Sequence, residues 1–233
     1  MTAAQRESLV TGGARSLEVR WILPGQLEAA VAGWFGRFPA GVESREDTYL
    51  LDPQLRGLSV KVRGGGALEV KAYHGSPGIL EVGGRARGRM ESWQKWSFPF
   101  SPPTADSSHP AGWRPVGKRR RIARFSLASG RIAAHAPGLG LGPEPGCGVE
   151  LTEVRMGGRD WWSLGLEATG PADLLRSELE ATAALVFDQA LPGGRELGPD
   201  ESRSYAEWLG GLAGTKDDTL CQAAAPCRGI RGL

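Results

Sequence analysis

The sequence predicts an α+β, mainly β protein: an eight-stranded antiparallel β-barrel, closed like a tunnel, with two to three covering helices. Eight short runs alternate apolar and polar residues between Gly and Pro, which is typical of half-buried strands. The runs Leu58–Arg63 and Leu68–Tyr73 are joined across Gly64-Gly65-Gly66, a connection that favours an antiparallel hairpin. Two other segments have the apolar period of a helix.

The predicted elements follow one another with short connections. The strands are Ser16–Leu23, Asp47–Leu51, Leu58–Arg63, Leu68–Tyr73, Arg85–Phe98, Val116–Phe125, Gly148–Val154 and Trp161–Thr169. The helices are Gln26–Phe38, Asp173–Phe187 and a short one at Ser202–Leu209, capped by Asp200 or Ser202. Segments 99–112 and 136–147 are rich in Pro, Gly and Ser and are predicted loops.

Composition favours one domain at residues 15–213. The chain has 233 residues, 40% of them hydrophobic, while 1–14 and 214–233 lack periodicity and are predicted disordered tails. A net charge of +2 gives no global reason to expect a nucleic-acid or membrane surface. Cys147, Cys221 and Cys227 do not suggest a disulfide or zinc framework. With neither a secretory signal nor an apolar span recognised, the predicted location is cytoplasmic.

Charged residues share one face of almost every predicted strand. Successive strand side chains point to opposite faces, so Lys61 and Arg63 lie opposite Val60 and Val62. Such a face is ordinarily the wet side of a sheet. If the strands instead close around it, the interior must hold water or a charged ligand, because unpaired buried charge costs several kcal/mol per ion. Alternation leaves the inward parity of Arg119, Arg121 and Glu153 open.

The order of these strands resembles the CYTH superfamily of triphosphate tunnel enzymes. Ser16-Leu17-Glu18-Val19-Arg20, followed by Trp21-Ile22-Leu23, is similar to the Glu-x-Glu-x-Lys strand and apolar triplet that begin that family's barrel. The later matches, in family order, are Glu46–Leu50, Val60–Arg63, Leu68–Lys71, Arg89–Glu91, Lys118 with Arg120, Val149–Leu151 and Leu166–Ala168. The resemblance covers roughly residues 16–187, and Trp93-Gln94-Lys95-Trp96 lies outside the family pattern, which indicates a divergent branch.

The resemblance implies binding, and metal-dependent hydrolysis, of a triphosphate, polyphosphate or organic phosphate inside the tunnel. The phosphate-binding residues that it implies are Arg20, Lys61, Arg63, Lys71, Arg89, Lys118 and Arg120. The implied catalytic and metal-binding residues are Glu18, Glu150 and Glu167, with Mg²⁺ or Mn²⁺ as the cofactor. Further implied tunnel residues are Asp47, Glu69, Glu91 and Lys95. Ser16 stands at the first Glu position and Thr169 where a second acid would end the last strand, so the implied metal site is incomplete.

Two other functions stay open on the sequence alone. A non-catalytic module would keep the basic residues for an anion without organising a metal, and a protein-interaction module would use the charged face or the Trp-rich loops. The expected ligand is an anionic, phosphate-containing small molecule. Lys118-Arg119-Arg120-Arg121 divides its charges between two strand faces, so nucleic acid is not the expected partner, and neither is a membrane. Monomer and homodimer both stay open.

Overall fold

Nine strands and three helices make up the part of the chain that the computed structural model describes, residues 13–52, 54–55, 57–64, 66–100, 112–128, 131–135 and 145–214. The strands are β1 Ala14–Pro24, β2 Gly41–Leu50, β3 Leu58–Arg63, β4 Ala67–Val82, β5 Ala86–Pro99, β6 Trp113–Ala128, β7 Arg131–His135, β8 Gly146–Met156 and β9 Arg159–Thr169. The helices are α1 Ala29–Phe35, α2 Leu175–Val186 and α3 Tyr205–Gly214, with a 3₁₀ turn at Pro192–Gly194. Among these helices, none has the length and apolarity needed to cross a membrane.

Eight of the strands close into an antiparallel barrel. Their order is β2-β3-β4-β5-β1-β9-β8-β6, and β6 pairs back to β2 along its first half. β7 lies outside this ring, paired with the last residues of β6. The predicted fold class is therefore confirmed, while β7 was not predicted, because a short run with two Ala residues gives a weak strand signal.

Two glycines extend β4 beyond its predicted end. Gly75 and Gly78 have φ angles of 121° and 137°, and the register with β5 shifts at both positions. Glycine adopts these angles without a Cβ penalty, so the strand passes through the irregularity and continues to Val82. The sequence Gly75-Ser76-Pro77-Gly78 looks like a turn, which is why the predicted strand stopped at Tyr73.

Several predicted boundaries were wrong by a few residues. Gly146 and Cys147, assigned to a loop, begin β8, and Ala14 and Gly214, assigned to the tails, belong to β1 and α3. Helix α1 is shorter than predicted because Glu28 is still extended and Gly36 ends the helix. The remainder of the predicted tails, and positions 101–111 and 136–144 of the predicted loops, lie outside the described residues. Cys221 and Cys227 lie there too, whereas Cys147 is a buried free thiol.

Helix α3 begins three residues later than predicted because Ser202 is used elsewhere. The Oγ atom of Ser202 accepts the Arg89 backbone N–H at 2.9 Å, and its backbone forms a bridge with Trp21. Ser204 caps the helix instead, since its Oγ accepts the Glu207 N–H at 3.2 Å.

The main hydrophobic core lies outside the barrel, between the outward faces of several strands and helices α1 and α2. Val19, Trp21 and Leu166 of the barrel pack there with Phe35 of α1 and Leu179 of α2, and each is at most 1% exposed. Because the apolar strand faces point outward into this core, the opposite, charged faces point into the barrel.

A second apolar cluster closes one end of the barrel interior. Ile22, Tyr49, Val116 and Met156 come from the ends of β1, β2 and β8 and the start of β6, which meet at one end of an antiparallel barrel. Trp208 of α3 packs against them and is 5% exposed. Helix α3 therefore lies across this end, and its first turn faces the interior.

Candidate functional site

The barrel encloses a charged cavity of about 150 Å³, called here the tunnel cavity. A dry cavity of roughly this volume accommodates a molecule the size of benzene. Among the described residues, ten cationic side chains line it: Arg20, Arg45, Lys61, Arg63, Lys71, Arg89, Lys95, Lys118, Arg120 and Arg203. The carboxylates that line it are Glu18, Glu69, Glu91, Glu150 and Glu167.

The structure brings the predicted site residues together. Thirteen of the fourteen line the tunnel cavity, and Asp47 lies directly behind it, fully buried. The charged strand faces thus form the inside of the barrel. Arg119, Arg121 and Glu153, whose facing the sequence left open, do not line the cavity and pair with one another at 3.3 Å and 2.8 Å.

Nine of the described lining residues are absent from the predicted site, and four of these have a guanidinium or phenol group: Arg45, Tyr49, Arg203 and Tyr205. Arg45 lies on the same strand face as Asp47. The alternation includes Arg45, but the predicted strand began only at Asp47 and so left it out. Tyr49 lies two residues after Asp47 on the same strand face and was given no role in the predicted site. Arg203 and Tyr205 come from the start of α3, and no strand pattern points to them.

Asp47 holds three of the cations in place. Its carboxylate lies 3.0 Å from Arg45 Nε, 3.3 Å from Lys61 Nζ and 3.2 Å from Lys118 Nζ. Burial alone would raise the pKa of Asp47, but these cations, Lys61 foremost, lower it to about 2. Lys118 also donates to Tyr49 Oη at 2.6 Å, and burial lowers the pKa of Lys118 well below its usual range.

Glu69 and Glu91 organise a second set of cations on β3–β5. Lys61, Arg63 and Lys95 each place a nitrogen 3.1 Å from a Glu69 carboxylate oxygen. Burial would raise the pKa of Glu69, and these neighbours lower it far below its usual range. Arg89 pairs with Glu91 at 2.7 Å. Each carboxylate therefore fixes the direction of one or more cations without using all of their donors.

Lys71 lies between two of the three predicted metal ligands. Its Nζ is 2.6 Å from Glu18 Oε1 and 3.1 Å from Glu167 Oε1. Burial raises the pKa of Glu18, whereas Lys71, followed by Lys95, outweighs burial and lowers the pKa of Glu167 to about 2. Ser16, at the missing Glu position, donates its hydroxyl to Glu18 Oε1 at 2.6 Å.

The third predicted metal ligand, Glu150, is held by arginines. It pairs with Arg20 at 3.4 Å and with Arg120, and it accepts the Thr152 hydroxyl at 2.6 Å. Burial would raise the pKa of Glu150, but Arg120 and Arg20 lower it well below its usual range. Within the described ranges, no group of three or more His, Cys, Asp or Glu residues is placed to hold a metal ion. This arrangement does not fit the predicted Mg²⁺ or Mn²⁺ site, because the acids are already paired with basic side chains of the protein, Lys71, Arg20 and Arg120.

Gly165 of β9 makes room for the Arg20 guanidinium. A Cβ atom at Gly165 would lie 2.7 Å from Arg20 Cζ, far inside van der Waals contact. On its other side, the Arg20 guanidinium lies 4.7 Å from the centre of the Tyr205 ring. Lys118 Nζ lies 4.0 Å from the same ring, so Tyr205 of α3 stands between two tunnel cations. Tyr205 therefore forms part of the cavity wall at its α3 end.

A second cavity of about 420 Å³, called here the outer cavity, adjoins the first. The residues that line both cavities are Arg89, Glu91, Trp93, Ser204 and Ala206. The outer cavity is also lined by Tyr73, whose ring contacts that of Trp93 with centroids 5.3 Å apart. Tyr73 is 39% exposed, so this aromatic wall is open to solvent.

The combined charge of the tunnel cavity is positive. Ten cations and five carboxylates line it, and cations still outnumber acids when the partners behind the wall, Glu43, Asp47 and Glu207, are added. Guanidinium groups can grip an oxyanion with two parallel N–H donors and ammonium groups act as point charges. The geometry is therefore suited to an anion with several oxygen acceptors.

Taken together, the eight strands close into an antiparallel barrel whose charged faces point inward, so the barrel has the tunnel architecture that the sequence predicted. Protein-family models and curated proteins show no match to the chain.

Solved structures give weak similarities. A conserved hypothetical protein from Pyrococcus furiosus is 15% identical over 82% of this chain and 98% of that chain, with a TM-score of 0.40. The S. pombe Pct1 RNA triphosphatase is 10% identical over 78% of this chain and 80% of that chain, with a TM-score of 0.38. The same enzyme in complex with the Spt5 CTD has the same identity and coverage and a TM-score of 0.36. At these scores, the likeness carries no conclusion about function.

Proposed function

We propose that the protein binds a compact phosphate-rich anion, such as a triphosphate, a polyphosphate or the phosphate chain of an organic phosphate, in the tunnel cavity. The observation that supports this most is the ratio of ten basic to five acidic side chains around one cavity inside the barrel. A multiply charged anion would complete a site that has more N–H donors than acceptors.

The carboxylates hold the basic side chains in position, so that the anion site is preorganised. Asp47 and Glu69 each hold three cationic nitrogens in position from behind or beside the cavity. A lysine has three N–H donors and an arginine has five, so donors remain for a ligand after these pairs are formed. Groups that are already oriented cost less entropy to order on binding, which favours tight association.

The ion pairs of Glu150 and Glu167 make hydrolysis a weaker candidate than binding alone. The neighbouring cations depress the pKa of Glu150 and Glu167, which weakens both as general bases. Metal-dependent hydrolysis is the second candidate function, supported by the way Glu18, Glu150 and Glu167 all face the same cavity. The binding role is therefore proposed as non-catalytic. Release of phosphate in the presence of Mg²⁺ or Mn²⁺ would instead support metal-dependent hydrolysis.

The outer cavity favours an organic phosphate over a free inorganic chain. At about 420 Å³, it falls within the size range of small-molecule pockets, whereas the tunnel cavity has room only for the chain. The exposed face of Tyr73 offers a surface on which a flat ring can stack. Among the described residues that line the outer cavity, three are acidic, Asp52, Glu91 and Glu207, and one is basic, Arg89, which suits a neutral or N–H-bearing ring. If so, Tyr73→Ala weakens binding of adenosine triphosphate roughly tenfold and leaves inorganic triphosphate unchanged.

Two neighbouring arginines test the proposed site with a matched control. Arg120 lines the cavity and Arg119 lies outside it on the same strand. Calorimetric titration with inorganic triphosphate should show that Arg120→Met lowers affinity about ten- to a hundredfold, the effect of losing one charge-assisted hydrogen bond. Arg119→Met should bind as the unmodified protein does. Equal losses in both variants, with both folded by circular dichroism, would place the anion elsewhere.

A further inference from the structure

Glu18 and Glu167 share one ammonium group instead of a metal. The two residues face each other directly in the β1–β9 pair and both line the tunnel cavity. Lys71 of β4 reaches across the interior and places its Nζ within 3.1 Å of a carboxylate oxygen of each. The space between the two carboxylates is therefore occupied by a cation that belongs to the chain.

The next pair of inward residues supplies no further negative charge. Ser16 faces Thr169 one step along the same two strands, so hydroxyls stand where a larger acidic set would need carboxylates. Ser16 uses its hydroxyl to donate to Glu18. Protein sites for Mg²⁺ rely on carboxylate oxygens together with water and ligand phosphates. Three acids lie side by side at this level, Glu91, Glu18 and Glu167. Arg89 and the Trp93 indole N–H hold Glu91, and one ammonium bridges the other two.

Glu150 does not extend the set, because basic side chains and a hydroxyl already bind both of its carboxylate oxygens. Arg20, Arg120 and the Thr152 hydroxyl all donate to its two carboxylate oxygens. Any divalent cation that recruited Glu150 would have to displace two guanidinium groups and leave them without their carboxylate partner. The acids of this barrel are thus divided between lysine and arginine partners.

We infer that Lys71 takes the position of a divalent cation between Glu18 and Glu167, so that the tunnel cavity binds its anion without a metal. This inference rests on the proposed anion-binding function and adds that the cation between Glu18 and Glu167 is the Lys71 ammonium group. The ammonium neutralises one of the two carboxylates and presents its remaining donor to the cavity. The residual negative charge is offset by Lys95 and Arg20, both of which act on Glu167.

Removal of Lys71 should create a metal site that the native protein lacks. In Lys71→Ala, two facing carboxylates lose the ammonium group between them, and Mn²⁺ is a hard cation suited to such oxygen ligands. Electron paramagnetic resonance titration with Mn²⁺ alone, with no phosphate present, measures free and bound metal directly. We expect no bound Mn²⁺ in the native protein and one bound ion in Lys71→Ala. Mn²⁺ should also raise the melting temperature of this variant.

Lys95→Ala is the matched control for this experiment. Lys95 lies directly opposite Lys71 in the β4–β5 pair and lines the same cavity, but it pairs with Glu69 at 3.1 Å. The variant removes the same charge and should gain no Mn²⁺. Binding of Mn²⁺ by the native protein, or equally by both variants, would overturn the inference. Because no anion is used, failure here is separate from failure of the proposed anion binding, and the native titration stays decisive if Lys71→Ala does not fold.

Discussion

Replacing Asp47 by Asn should destabilise the barrel strongly, because this one carboxylate neutralises three buried or half-buried cations. Its side chain is 0% exposed and lies 3.0–3.3 Å from Arg45, Lys61 and Lys118. Leaving buried charge without its partner costs about 3–5 kcal/mol. The shift of the Asp47 pKa from 3.8 to about 2 gives an independent figure of about 2 kcal/mol at neutral pH. For a protein of this size, the larger range corresponds to a fall in melting temperature of roughly 6–20 °C.

Asp188→Asn is the control for this substitution. Asp188 makes one ion pair, with Arg37 at 3.3 Å, and its side chain is 54% exposed, so its loss should cost at most about 1 kcal/mol. Urea unfolding of both variants at neutral pH, followed by circular dichroism, gives the two free energies of unfolding. If Asp47→Asn lost no more stability than Asp188→Asn, the reasoning that Asp47 holds the cation network together would be refuted.

Two further predictions concern the cavity and acid stability. Gly165→Ala should fold, since its methyl group meets only the end of the Arg20 side chain at 2.7 Å, but should bind inorganic triphosphate about tenfold more weakly by calorimetry; native-like affinity would contradict this role of Gly165. Stability should fall as pH drops from about 4 towards 2, because Asp47 and Glu167 have folded pKa values near 2, below those of the unfolded chain, and lose their stabilising charge on protonation. The raised pKa of Glu18 acts in the opposite direction, as stability gained on acidification, against four carboxyl groups whose pKa is lowered: Asp47, Glu69, Glu150 and Glu167. Urea unfolding across this pH range checks the sign, and a stability that rises on acidification would contradict it.

The strand faces could be predicted from the sequence because the side-chain period of a strand is two. Once Lys61 and Arg63 are on one face, Val60 and Val62 must be on the other, and the same rule places Glu18 with Arg20. Alternation does not say whether the charged face lies inside a closed barrel or in open solvent. That distinction depends on the β2–β6 pairing, a contact between strands far apart in the chain.

The remaining errors have local causes. Gly75 and Gly78 carry β4 through two irregularities that a sequence pattern cannot distinguish from a turn. By its sequence position Ser202 could cap the helix, but its hydroxyl accepts the Arg89 backbone N–H instead. Tyr205 enters the barrel because α3 packs across its end, a tertiary contact without a sequence period.

The occupation of the acidic pair could be predicted only in part. Ser16 in place of an acid indicated an incomplete metal site, and the structure shows that Lys71 lies between the two acids that remain. Side-chain reach across a barrel cannot be read from spacing along the chain, because Lys71 and Glu18 are 53 residues apart.

The most direct test of the account is calorimetric titration of the native protein with inorganic triphosphate, in buffer with a chelator and again with Mg²⁺ or Mn²⁺, with phosphate release measured in the same samples. The account predicts saturable binding in the chelated buffer, no gain in affinity from either metal, and no release of phosphate. Absence of binding in every buffer would contradict the proposed site and leave a protein-interaction role. Binding that requires a metal and is followed by phosphate release would contradict both the non-catalytic role and the place assigned to Lys71.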